Sequence, residues 1–124
     1  MSSGIISTLY VALGGATGSV LRFWIGGLVA AKAGAPLWGT LFVNITGSFA
    51  IGFAAAFAST HPAIRYFLMI GVLGGFTTFS AFSLQTLDLL QKGNPALALA
   101  NVALSIILCL LGVWLGWIAG RVFA

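Results

Sequence analysis

From Ala96 to Gly120 the chain runs for about 25 residues without a charge. A membrane helix needs roughly 20 mainly apolar residues, so this stretch reads as a complete span. Three more apolar stretches precede it, and the expected spans are 4–30, 37–58, 63–91 and 96–120. Composition agrees: 60% of the 124 residues are hydrophobic and 5% are charged, with a mean hydropathy of +1.15. A soluble domain carries about 25% charged residues, so lipid must cover most of this surface. Four spans with short turns use up residues 1–124. The expectation is one all-α membrane domain of four transmembrane helices.

The junctions are short and marked. Ala31-Lys32-Ala33-Gly34-Ala35-Pro36, Ser59-Thr60-His61-Pro62 and Lys92-Gly93-Asn94-Pro95 separate the spans, with prolines well placed at helix starts. Met1 to Ser7 has no Lys or Arg, and the apolar run behind it passes Val20. It therefore reads as part of the first span and not as a cleavable signal. The one cysteine, Cys109, excludes an internal disulfide. A net charge of +4 from five scattered basic residues makes no nucleic-acid patch; these residues read as interfacial anchors.

Catalysis has little to work with. Asp88 is the only acidic residue and His61 the only histidine, so no triad, metal cluster or phosphate loop can be assembled. An enzyme is not expected. A proton-coupled exporter normally needs a carboxylate inside the membrane, and Asp88 lies one turn from Lys92, where it reads as interfacial. Arg22 does fall inside a span, at a cost of roughly 2.5–3.5 kcal/mol on insertion scales. Two readings offset that cost: snorkelling to the interface, or lining an aqueous vestibule whose positive field gathers anions.

Seventeen glycines in so apolar a chain point to close helix packing. Gly14 and Gly18 share one face, as do Gly112, Gly116 and Gly120. Such strips suit contact within the chain or between copies. Four short helices enclose no pore by themselves, which favours self-association. Charges on the two sides balance, with Arg65 and Arg121 against Lys32 and Lys92, or against three residues if Arg22 is counted. Topology follows Lys/Arg bias, so here the chain is expected to insert both ways and to pair in opposite orientations.

The densest signal is Gly71-Val72-Leu73-Gly74-Gly75-Phe76-Thr77-Thr78-Phe79-Ser80-Ala81-Phe82-Ser83-Leu84-Gln85. Glycines and β-branched threonines make a poor helix interior, so the third span is expected to break there. Freed backbone groups in a membrane must be buried in protein or face water, and unwound carbonyls there can hold a cation. Phe79 and Phe82 share a face, beside a row formed by Ser80 and Ser83. Ring edges are positive, so the pair can meet an anion without trapping it; ordinary core packing is the other reading. Asn44, and Asn101 with Ser105 and Cys109 on one face, are either interhelical glue or amide donors to an anion.

Together these residues resemble the CrcB/Fluc family of small fluoride channels. The resemblance rests on Gly14-Gly15-x-x-Gly18-x-x-x-Arg22, Gly39-Thr40-Leu41-x-x-Asn44 and the Gly71–Ser83 motif, and it spans nearly the whole chain. It implies an antiparallel, dual-topology homodimer in the cell inner membrane that lets fluoride out passively and protects the cell. It further implies an anion pathway of Phe79, Phe82, Asn44, Ser80, Thr40 and Ser105, to which the residue reading adds Ser83, Gln85 and Arg22. A structural sodium ion, not transported, would sit on the backbone carbonyls of Gly74 and Thr77. Gln85 departs from the family, which commonly has a glutamate there. A dual-topology small-molecule exporter and a non-transporting assembly subunit are the alternatives.

Overall fold

The computed structural model describes residues 2–58 and 61–124, and among them there are helices and short turns but no strand. Ser59 and Thr60 of the expected second loop lie outside the described residues. Four helical rods are long and apolar enough to cross a membrane: Ser3–Ala33, Pro36–Ala55, Ile64–Gln91 and Pro95–Phe123. The first is α1, the second α2 and the last α5. The third comprises α3, which runs over Ile64–Leu73 and the turn Gly74–Phe76, and α4, Phe79–Gln91.

Local chemistry sets the ends. Ala35 is extended and Pro36 opens α2, where a missing N–H costs nothing. Asn94 caps α5, its side-chain oxygen accepting from the Leu97 N–H at 3.2 Å, and Pro95 follows in the first turn. Gly34 and Gly93 take left-handed backbone, at φ 90° and 74°, which glycine adopts without a Cβ penalty. Three C-terminal boundaries differ from the sequence reading by three residues: the first rod runs on to Ala33 and the last to Phe123, while the second stops early. The helix of the second span ends at Ala55, short of residue 58. There Ala56 and Phe57 donate to Phe53 and Ala54, and this tighter i→i+3 winding closes the helix.

α2 carries most of the buried side chains, including Leu37, Leu41 and Val43, and it touches every other helix. Its tightest partner is α5. A Cβ at Gly52 would run into the Val113 carbonyl, and one at Gly116 into that of Phe49. α1 and α3 meet the same way, with Gly18 against the Val72 carbonyl. The glycine strips are thus filled by neighbouring helices of the same chain, and they supply no free face for a second copy.

Two stretches are wound as π-helix: Arg22–Gly26 inside α1 and Ile64–Leu73. Such windings are frequent at functional sites. Between α3 and α4, Thr77 (φ −87°, ψ 156°) and Thr78 (φ −151°, ψ 117°) are extended. At the helix ends, Lys92 pairs with Asp88 at 2.6 Å in the open. The Arg121 guanidinium lies 5.0 Å from the Trp117 ring centroid and that of Arg65 lies 5.8 Å from Tyr66. Interfacial cations over aromatic rings fit the anchoring role.

Candidate functional site

The extended pair Thr77–Thr78 is held from three directions. From α2, Asn44 pairs with the backbone of Thr78 reciprocally: its Nδ2 donates to the Thr78 carbonyl at 2.9 Å and its Oδ1 accepts from the Thr78 N–H at 2.7 Å. From α1, Arg22 Nε donates to the Gly75 carbonyl at 3.0 Å. This places the cation at the C-terminal end of α3, where the helix dipole favours it. From α4, the Thr78 hydroxyl accepts from the Ala81 N–H at 3.1 Å and caps the helix. Thr77 folds back, its N–H and hydroxyl both donating to Leu73 O. Among the described residues, no hydrogen bond reaches the carbonyls of Gly74 or Thr77.

Two grooves flank this segment. One, of about 400 Å³, is lined by Asn44, Gly74, Thr77, Phe79, Phe82 and Ser105 among others. The Phe79 and Phe82 rings stand 5.3 Å apart, tilted by 51°, so ring edges and not only faces are presented. Phe79 is 78% exposed, and the groove has no cover on that side. The second groove, of about 270 Å³, brings together Arg22, Thr40, Thr78 and Gln85. Gln85 Nε2 donates to Thr40 Oγ1 at 2.8 Å, while its Oε1 is buried with no partner among the described residues.

The expected site residues divide accordingly. Asn44, Phe79, Phe82 and Ser105 share one groove; Arg22, Thr40 and Gln85 share the other; Thr78 lines both. Ser80 and Ser83 line neither. Ser80 Oγ lies 3.3 Å from the Thr78 hydroxyl. Ser83 gives its proton to the Phe79 carbonyl, so its hydroxyl has no donor left for an anion. Arg22 follows neither sequence reading outright: its Nε is spent on a backbone carbonyl while it also lines a groove. Asn101 is glue, 3% exposed, donating to Thr86 Oγ1 at 3.1 Å. Thr78 is the residue the sequence reading passed over. Its signal was available, since a threonine directly before a helix is a start mark.

Against that geometry, a family model described as CrcB-like protein, Camphor Resistance (CrcB), matches residues 9–117. The chain belongs to the CrcB-like family. Curated relatives of this CrcB-like chain include a protein of Opitutus terrae, 55% identical over 118 residues, which cover 90% of this chain and 89% of that one. A protein of Rhodospirillum rubrum is 51% identical over 115 residues, 87% of this chain and 89% of its own length. One of Methylocella silvestris is 46% identical over 115 residues, covering 87% and 88%. All three carry the name fluoride-specific ion channel FluC. Those names describe channels, a non-enzymatic activity, and the four apolar rods make the CrcB-like chain a multi-pass membrane protein.

Proposed function

We propose that this chain is a fluoride-selective channel of the cell inner membrane, through which fluoride leaves passively and so does not accumulate to toxic levels. One observation carries the reading. An interruption with unpaired carbonyls at Gly74 and Thr77, flanked by the exposed ring of Phe79, sits in a rod whose length matches a bilayer crossing. Lipid cannot satisfy such groups, so in the membrane this face must meet protein or water. A second copy of the chain, inserted in the opposite sense, covers it and closes the open side of the groove. The near balance of Lys and Arg between the two sides supports that antiparallel pairing.

The interruption lies at mid-membrane depth, and fluoride passes the groove of Asn44, Phe79, Phe82 and Ser105. The tilted phenylalanines offer positive ring edges, which hold an anion more weakly than a fixed charge and let it leave. The Ser105 hydroxyl replaces part of its hydration. Arg22, with Thr40 and Gln85 in the neighbouring groove, keeps the approach electropositive. The carbonyls of Gly74 and Thr77 fit a structural sodium ion, being oxygen ligands freed of hydrogen bonds. When bound, the ion supplies a fixed positive charge where two copies meet; it is not transported. An exporter driven by protons finds no support, because Asp88 is exposed and paired with Lys92.

Reconstitution tests this. Proteoliposomes holding the purified chain are expected to release fluoride passively while retaining chloride. Equal permeability to both ions, or to neither, overturns the reading.

A further inference from the structure

A continuous helix through residues 74–81 would require Thr78 N–H to donate to Gly74 O and Ala81 N–H to Thr77 O, since α-helical bonds run from i to i−4. Neither bond exists. Thr78 N–H is taken at 2.7 Å by Asn44 Oδ1, and Ala81 N–H is taken at 3.1 Å by the hydroxyl of Thr78 itself. Each side chain thus diverts one amide proton and leaves one carbonyl bare. The carbonyls freed in this way are those of Gly74 and Thr77, and among the described residues Phe76 O between them accepts no hydrogen bond either. Their neighbour Gly75 O does not join them, because Arg22 Nε occupies it at 3.0 Å. Thr78 O is occupied as well, by Asn44 Nδ2 at 2.9 Å.

We infer that Asn44 and the Thr78 hydroxyl are positioning residues for a cation site: by diverting two amide protons they free the carbonyls of Gly74 and Thr77 for the ion and preform the site before it binds. The inference rests on the sodium reading above and deepens it. It gives Asn44 a task on the backbone, where the sequence allowed either glue or an anion donor. The roles separate by chemistry. Diverting the Thr78 proton needs only an acceptor at position 44, whereas donating to an anion needs an N–H. An aspartate keeps the first capacity, and its charge opposes the second. Leucine has neither. At position 78 serine keeps the hydroxyl and valine removes it with the shape retained.

The experiment follows thermal unfolding of the purified full chain in detergent against sodium concentration, with potassium as the balancing ion, and measures fluoride efflux in parallel. Wild type, Asn44→Asp and Thr78→Ser are expected to gain Tm with sodium at similar midpoints. Asn44→Leu and Thr78→Val are expected to need at least about tenfold more sodium, the equivalent of roughly 1.4 kcal/mol, with efflux partly restored at high sodium. Loss of the sodium response in folded Asn44→Asp, or a wild-type midpoint in both Asn44→Leu and Thr78→Val, overturns the inference while leaving the channel reading in place. A wild-type chain that conducts fluoride but ignores sodium removes the cation from the proposed function and this inference with it. Should Asn44→Leu fail to fold, the Thr78→Val and Thr78→Ser pair decides alone.

Discussion

Phe79 and Phe82 invite the most direct substitution, because their rings meet at 5.3 Å and one of them is largely free of the chain's own packing. Phe79→Ala and Phe82→Ile are each expected to lower fluoride flux by about tenfold or more. That factor corresponds to losing roughly 1.4 kcal/mol of anion stabilisation at the barrier. Folding and self-association, followed by gel filtration, should persist. Flux equal to wild type in both variants takes the rings out of the anion's path. Gln85 poses a different question. Neither groove holds a carboxylate or a histidine, and no other side chain changes charge at its ordinary pKa between about pH 5.5 and 7.5. Single-channel current is therefore expected to be flat over that range, and a clear inflection would show that a group outside the grooves controls conduction. The buried Oε1 of Gln85 explains why sequence alone left this position open. An amide's role depends on which atom it meets, and Thr40 stands 45 residues away along the chain.

Among the helices, close approach decides what is tolerated. Gly116 sits against the Phe49 carbonyl of α2, whereas a Cβ at Gly27 meets nothing within 4 Å. Gly116→Val is expected to force α2 and α5 apart, at a cost of at least about 1–3 kcal/mol for overpacking, and to reduce the yield of folded protein. Gly27→Ala should fold normally, with a gain of up to about 1 kcal/mol from helix propensity. Thermal melts of the two variants in detergent check this, and equal stability would mean that the glycine seam does not govern packing. Here the limits of sequence reading are plain. Four-residue spacing put Gly112, Gly116 and Gly120 on one face, but periodicity does not name the neighbour, and α2 proved to be that neighbour. The spans themselves were legible because charge is so scarce. The low helix propensity around Gly74–Thr78 was legible too. The pairing of Asn44 with Thr78 was not, since it joins residues 34 apart through geometry that no local pattern encodes.

For the molecule as a whole, the balance of charge is the deciding quantity. Arg65 and Arg121 lie toward one side, each near an aromatic ring, while Lys32 and Lys92 lie toward the other, with Lys92 partly neutralised by Asp88. So little bias is what the proposed insertion in both orientations requires. Reporter tags at the C-terminus should therefore be detected on both sides of the membrane in comparable amounts. Confinement of every C-terminus to one side sinks the antiparallel arrangement.

The bare carbonyls beside Phe79 also bear on how the protein comes into being. A lone copy, newly inserted, would hold those groups against acyl chains, a state that is costly until a partner arrives. On the proposed pairing, stability would be a bimolecular quantity and would fall as the chain is diluted in lipid. Low expression would leave copies unpaired, and quality-control proteases would meet a species that scarcely exists at higher density. The abundance of the chain, and not its sequence alone, would set how much of it endures.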